Sequence, residues 1–423
     1  MTDPGLNGFL MDNYAAPPVT FVRGQGAYLY DQDDKRYLDF LSGIAVTSLG
    51  HCHPAVVEAV RAQAGRLWHV SNLFGNDVAN DVAATLDRLI SARGGRDQQF
   101  GNRPSASVSG KETGEGPGEG KVFFANSGAE ANECAIKLAR RWAGPGRHVV
   151  VSAYGSFHGR TLATLHATGQ PHKHEAFQPL PEGFRHVAWN DVGALVSSLD
   201  ASVVAAVMLE PILGEGGVVM SDPGYLAEVQ AACRERGILL IMDEIQTGLG
   251  RTGAWFGFQH DEIRPDIVTM AKALGNGMPI GACWARNEVA DAFRPGDHGS
   301  TFGGQPLAAA AARATLSVME AEDVPDRAVR AGRHLAQGLA ALPGIADVRG
   351  RGLLLGAVLD DDLALDGAGV VAAALEAGLV INAPAPRVLR LAPSLLISSD
   401  EIDQALAILS GLLEVASAGR RQA

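Results

Sequence analysis

Five apolar runs of strand length punctuate the middle of the chain: VFFANSG, HVVVSAY, VVAAVMLEP, GILLIMDE and DIVTMAK. Helical patterns lie between them. In residues 129–142, Ala131, Cys134, Ala135, Leu138 and Ala139 fall at helical spacing and line one face. Strands apolar on both faces are buried on both faces, so the alternation predicts a doubly wound α/β fold around a mostly parallel sheet, spanning residues 55–305. Residues 306–423 read differently: a helix, DVRGRGLLLGAVL, a second helix, LVINAPA, VLRLAPSLLIS and a closing helix predict a smaller α+β domain. Residues 1–54 carry AYLYDQDDKRYLDF, read as a hairpin with a polar turn that packs with the C-terminal domain. Residues 92–120 break the pattern. They are rich in Gly, Ser and charge and nearly devoid of large apolar side chains, so burial cannot offset chain ordering and a mobile surface loop is expected.

Composition narrows the field of partners. At 423 residues the chain exceeds the size at which one core keeps growing, which agrees with two unequal domains. A hydrophobic content of 47% is enough to bury a large sheet. A formal charge of −12, from 35 basic and 47 acidic residues, argues against a nucleic-acid or anionic-membrane partner. Any anionic ligand must then be held by local arginines. Cys52, Cys134, Cys233 and Cys283 have neither CxxC spacing nor disulfide-framework density, and no basic region followed by an apolar stretch opens the chain. A cytoplasmic location is expected. Gly50-His51-Cys52-His53-Pro54 has no accompanying cluster of ligands, so it reads as a turn and no metal is expected.

The candidate chemistry centres on Asp243, which ends GILLIMDE, and Lys272, just past residues 267–270. In an open parallel sheet, ligands collect outside the carboxyl ends of the strands, so both side chains are expected in one crevice. A lysine amine can condense with an aldehyde cofactor while a carboxylate faces a pyridine nitrogen, which points to pyridoxal 5′-phosphate. Asn126-Ser127-Gly128-Ala129 joins a strand to a helix, where small residues and the positive helix end suit a phosphate. Ser127 taken alone reads more readily as an ordinary helix cap than as a phosphate contact. AYGSFHGRT offers Phe157 to stack on a flat ring, His158, and Arg160 to hold a carboxylate. Glu210 and Glu215 lie in LEPILGEGG. Arg390, inside the apolar run VLRLAPSLLIS, must find a partner, and Glu215 or a substrate carboxylate would serve. Ser300 and Thr301 in HGSTFGGQP are phosphate donors or turn residues.

These motifs run in order over nearly the whole chain and resemble the class III aminotransferases, most closely those acting on acetylornithine. The resemblance implies the fold-type I architecture and a homodimer with active sites at the subunit interface. It implies Lys272 as the cofactor lysine and proton shuttle, Asp243 as the pyridinium partner, and Gln246 near the ring hydroxyl. Ser127, Gly128 and Ala129 would bind the phosphate, Phe157 would stack on the ring, and Thr301 would reach the phosphate from the neighbouring subunit. Arg160 and Ser300 resemble substrate contacts. Glu215 and Arg390 resemble a switch in which the glutamate masks the arginine for one substrate and releases it for the other. The activity implied is transfer of the distal amino group of N2-acetylornithine to 2-oxoglutarate, in arginine biosynthesis.

Three positions depart from the family pattern: Asn276 stands where glycine is usual, Gln305 where asparagine is expected, and the 92–120 segment is longer than usual. Succinylornithine, ornithine and 4-aminobutyrate aminotransferases share nearly all the motifs. Ile44 replaces a tyrosine of the ornithine enzymes, which favours an acylated donor, and Arg160 favours a donor with an α-carboxylate at its far end. A non-catalytic relative that binds the cofactor is the reading from a different class, disfavoured because Lys272 and Asp243 are both intact.

Overall fold

A computed structural model describes residues 9–92 and 118–418; the greater part of the 92–120 segment lies outside the described residues. The polar turn of the opening hairpin is closed by Asp31, whose Oδ1 accepts from the backbone N–H groups of Asp33 (3.0 Å) and Lys35 (2.9 Å). That turn joins strand β2 (Tyr28–Asp31) to β3 (Arg36–Asp39), with β1 (Phe21–Gln25) antiparallel on the outside.

The five apolar runs form β4 (Gly120–Ala125), β5 (Val149–Ala153), β7 (Val204–Leu209), β10 (Leu239–Asp243) and β11 (Ile267–Met270). Every residue of β5, β7, β10 and β11 is buried, as expected of strands covered on both faces. Two strands complete the sheet without a comparable signal in the sequence: β6 (Phe184–Val187), at an edge, and β12 (Gly281–Arg286), which opens on small residues. The order is β4-β12-β11-β10-β7-β5-β6, parallel except that β12 runs against both its neighbours. A two-stranded ribbon, β8 (Ile212–Leu213) with β9 (Val219–Met220), rises beside it.

The helix predicted over 129–142 spans Gly128–Ala143. It begins where the Ser127 side chain accepts from Glu130 N and ends at Gly144, whose φ of 80° the next residue type would resist. Its buried face carries Ala131, Asn132, Cys134, Ala135, Ile136, Leu138 and Ala139. Burying Ile136 and Leu138 contributes about 1.5–3 kcal/mol each, while the alanines let the helix lie close to the sheet. Asn132 is the exception on that face, and it belongs to the site below.

In the last part of the chain, DVRGRGLLLGAVL folds as a hairpin of β13 (Ile345–Arg351) and β14 (Leu354–Leu359). Strands β15 (Leu379–Val380), β16 (Asn382–Ala385) and β17 (Val388–Leu391) follow. One sheet has the order β13-β14-β17-β16, but β15 leaves it to pair in parallel with β3, Leu379 opposite Leu38. The two ends of the chain thus share a sheet. Arg251 fastens the same junction: fully buried, it donates from Nη1 to the carbonyls of Leu353 (3.1 Å) and Pro393 (2.5 Å) and from Nη2 to Ser48 Oγ (3.1 Å). A guanidinium suits this task because its donors diverge in a fixed fork.

Candidate active site

Strands β10 and β11 are neighbours, with Asp243 opposite Thr269, so the chain that leaves β11 carries Lys272 to the same end of the sheet. Their carboxyl ends open into a cavity of about 370 Å³. Ser127, Gly128, Ala129, Phe157, Arg160, Glu215, Asp243, Gln246 and Lys272 all line it. Ser300 and Thr301 do not; Ser300 Oγ accepts from Nδ2 of Asn126, which is a lining residue, at 3.2 Å, and Thr301 is exposed.

Asp243 is held on several sides. Its Oδ2 accepts from Asn132 Nδ2 and His158 Nδ1, both at 2.8 Å, and its Oδ1 accepts from Ile245 N at 3.1 Å. A carboxylate can only accept, so the His158 proton sits on Nδ1. His158 Nε2 is buried with no hydrogen-bond partner among the described residues, so the ring is oriented through Nδ1 alone. Asn132 is fixed in turn by Thr269, whose hydroxyl donates to its Oδ1 at 2.7 Å. Neither Asn132 nor Thr269 was legible as a site residue. The signal available was a polar side chain one turn into an otherwise small and apolar helix face, and one inside an apolar strand.

Lys272 has φ of 23°, a strained value for a residue with a side chain, and such strain survives only where surrounding structure imposes it. Burial pushes its amine down to about 8, with Glu215, Glu210 and Asp243 pulling the other way and Arg390 adding to the effect. An amine with that value is a nucleophile and proton carrier near neutral pH.

Arg390 is fully buried on β17. Its Nη1 donates to Glu215 Oε1 (2.6 Å), Gly214 O (3.2 Å) and Gln246 Oε1 (3.4 Å), and its Nε to Asn382 Oδ1 (3.1 Å). Its Nη2 is buried without a partner among the described residues, so the guanidinium keeps one donor for a further acceptor. Burial pushes the Glu215 carboxyl up, but Arg390, with Lys272 and Lys173 beyond it, outweighs this and holds the group below its ordinary range. Glu210 is placed otherwise: its two oxygens accept from Phe157 N (2.9 Å) and Gly214 N (3.2 Å), tying the Phe157 loop to the Glu215 loop. Burial pushes its carboxyl up, against the pull of His158.

At the opposite wall, the helix Gly128–Ala143 turns its amino end toward the cavity. A Cβ at Gly128 would lie 2.7 Å from Ile245 Cδ1 and would press on that side chain, so glycine suits the close packing at this helix end. Amine, carboxylate, helix end and aromatic ring together fit a phosphorylated pyridine aldehyde. The two side-chain departures from the family pattern, neither of which lines the cavity, have structural reasons. Asn276 adopts φ of 47°, which asparagine tolerates, and its amide accepts from Leu49 N (2.8 Å) and donates to Gly50 O (3.0 Å). Gln305 Oε1 accepts from Val70 N at 2.9 Å.

Comparison with known proteins agrees with this arrangement. The chain is 46% identical over 406 residues to the acetylornithine aminotransferase of Corynebacterium efficiens, covering 96% of this chain and 94% of that one. It matches the structure of an ornithine aminotransferase from Toxoplasma gondii, described with partial occupancy of PLP at its active site, with TM-score 0.86 and 36% identity over 98% of this chain and 94% of that one. The N-acetylornithine aminotransferase of Stenotrophomonas maltophilia K279a gives TM-score 0.78 and 36% identity, over 96% and 98%. The family described as aminotransferase class-III matches residues 10–413, and the chain belongs to it.

Proposed function

We propose that the protein is an acetylornithine aminotransferase, moving the distal amino group of N2-acetyl-L-ornithine to 2-oxoglutarate and yielding N-acetyl-L-glutamate 5-semialdehyde and L-glutamate, a reaction of arginine biosynthesis. The observation that carries this reading is the Glu215–Arg390 pair beside Lys272. A dicarboxylate acceptor needs a cation for its second carboxylate, and a donor whose reacting end is a bare amine needs that cation covered. Glu215 does the covering, and the uncommitted Nη2 of Arg390 supports carboxylate capture once it moves. Arg160, with no carboxylate paired to it among the described residues, is left for the far carboxylate of the donor.

Pyridoxal 5′-phosphate, when bound, supplies an aldehyde that condenses with amines and a protonated ring that withdraws electrons from the adjoining carbon. Lys272 would hold it through Nζ, Ser127, Gly128 and Ala129 would hold the phosphate, Phe157 would lie on the ring and Gln246 near its hydroxyl. Asp243 is the anion for the ring nitrogen, and Asn132 and His158 keep it oriented. Lys272 Nζ would carry the proton from the carbon bearing the donor's distal amine to the cofactor's aldehyde carbon, and would carry it the opposite way, to the acceptor carbon, in the second half of the cycle. Donor and acceptor use one cavity in turn, so ping-pong kinetics are expected.

The assembly we propose is a homodimer. Leu67, Trp68, Leu73, Phe74 and Phe302 are large apolar residues between 44% and 86% exposed, and Asn72 Nδ2 donates to the carbonyls of Ser300 and Gly303, which joins them into one patch around Thr301. Thr301 would serve the neighbouring subunit's phosphate from there, and Ser300 its donor. We read residues 55–305 as the cofactor domain and residues 306–423, with 1–54, as the second. Four unpaired cysteines support a cytoplasmic setting, and no helix among the described residues is long and apolar enough to cross a membrane.

Parallel assays of acetylornithine, succinylornithine, ornithine and 4-aminobutyrate, each with 2-oxoglutarate, test the reading. Acetylornithine is expected to have the highest kcat/KM; a higher value for 4-aminobutyrate would overturn the assignment. The Lys272 amine carries a second expectation. Below about pH 8 it is protonated and cannot attack an aldehyde, so cofactor uptake by the apoprotein should rise about tenfold per pH unit and level off above that value. Stopped-flow visible absorbance follows this directly, and a rate independent of pH would contradict it.

A further inference from the structure

Just past β3 the chain makes one turn of left-handed helix. Ser42, Gly43, Ile44 and Ala45 have φ of 51°, 63°, 66° and 63°, and the N–H groups of Ala45 and Val46 donate to the carbonyls of Leu41 (2.9 Å) and Ser42 (2.7 Å), four residues back. L-residues visit this conformation singly and only glycine does so freely, so a run that includes a β-branched isoleucine and an alanine is strained. Such strain persists only where the surroundings impose it. Its entrance is fixed by Asp39, 2% exposed at the end of β3, whose Oδ1 accepts from Leu41 N (2.9 Å) and Ser42 N (2.8 Å) and whose Oδ2 accepts from His51 Nε2 (2.7 Å). Its exit is fixed by Ser48 Oγ, which accepts from Arg251 Nη2, and by Leu49 N, which donates to Asn276 just past Lys272.

Val46, the first residue out of the turn, lines the cavity. Thr47 Cγ2 lies 3.8 Å from where a Cβ on Gly277 would stand, so the chain at Val46 and Thr47 runs against the turn that supplies Gly277, Met278, Pro279 and Ile280 to the same lining. Together they make an apolar wall. The two substrates need that wall unequally, because the dicarboxylate acceptor is charged at both ends and can be fixed by guanidinium groups alone. The donor is held by charge only at its far carboxylate. Its reacting end is a bare amine that Arg390 cannot hold, so its methylene chain depends on apolar surface to lie in place.

We propose that Asp39 is a positioning residue for the donor: by holding the left-handed turn it keeps Val46 against the methylene chain of the ω-amino donor, and it leaves the dicarboxylate acceptor unaffected. Asp39 does not itself line the cavity, so its influence passes through the backbone. A turn released from Asp39 relaxes toward negative φ, which rotates the chain that follows and withdraws Val46 from the wall. The strain is thus what sets the wall. This inference rests on the reading of an ω-amino donor and a dicarboxylate acceptor given above.

The test compares Asp39→Ala, Asp39→Ala combined with Ala45→Gly, and Val46→Ala with the wild-type holoenzyme, following the acetylornithine and 2-oxoglutarate half-reactions separately by rapid mixing. Calorimetry measures binding of N2-acetylnorvaline, which keeps the donor's chain and far carboxylate but lacks its amine, and of glutarate, which keeps both acceptor carboxylates. Asp39→Ala and Val46→Ala are each expected to lose about tenfold in the donor half-reaction and in N2-acetylnorvaline affinity, and to stay within about twofold for the acceptor and glutarate. The added glycine should restore most of the Asp39→Ala loss, because glycine holds a positive φ without the clamp. A residue that served stability alone would show no such split and no such rescue. Equal losses for donor and acceptor, no donor loss in Val46→Ala, or no rescue by glycine would each overturn the inference while the proposed function stands. Val46→Ala keeps the clamp, so it decides the matter should Asp39→Ala fail to fold. A wild type that does not transaminate acetylornithine would instead remove the function reading, and this inference with it.

Discussion

Lys272→Ala is expected to abolish transamination, by about 10⁴-fold or more, while the protein stays folded. Two tasks rest on one nitrogen: holding the cofactor and carrying the proton at the donor carbon. No other lysine among the described residues lines the cavity, so none of them can take over. Stability should move the other way. A lysine whose amine is depressed to about 8 in the fold, from 10.5 unfolded, costs the fold free energy at every pH where the unfolded chain binds its proton and the folded one resists. That cost is full below about pH 8 and vanishes as pH rises to the unfolded value. The alanine variant of the apoprotein should therefore melt higher than wild type at pH 7, and the gap should close in alkali. Single-turnover assays check the first claim, and wild-type-like turnover by the variant would sink the assignment. Differential scanning calorimetry across pH checks the second.

Asp243→Asn should cost about 10³-fold in kcat/KM, and equally with either substrate. An anion near 4 Å from a ring cation at an effective dielectric of about 20 contributes up to about 4 kcal/mol, which corresponds to about three powers of ten. Both half-reactions lean on the same charged ring, so neither should escape. Asparagine also faces a mismatch: its amide oxygen can take the place of Oδ2, where Asn132 Nδ2 and His158 Nδ1 donate, but its nitrogen then meets the donating Ile245 N and cannot accept. Rapid-reaction measurements of each half-reaction would read the loss. A drop below about tenfold, or one confined to the donor, would mean that Asp243 does not face the ring nitrogen.

Much of this was written in the sequence because full burial leaves a continuous apolar run, and β5, β7, β10 and β11 are buried throughout. Asp243 and Lys272 were legible for the same reason, since each stands where such a run stops. Strand β6 was not, because its FRHV pattern is that of a half-exposed edge, and β12 was not, because Gly281, Ala282 and Cys283 carry no strand signature until their neighbours are known. Asn132 and Thr269 act through contacts made across the fold, and a linear pattern holds no record of those. Gln305 and Asn276 looked like deviations from the family pattern, yet each forms the hydrogen bonds its place requires.

The shared sheet of the two chain ends has a consequence for synthesis. Strand β3 acquires its parallel partner only when Leu379 and Val380 leave the ribosome, and Arg251 cannot close onto Pro393 before then. Contacts so distant along the chain are slow to form, and an unpaired edge is exposed meanwhile. Glu215 likewise waits for Arg390. The last strands to be translated thus both complete the sheet of the first segment and bring the arginine that pairs with Glu215.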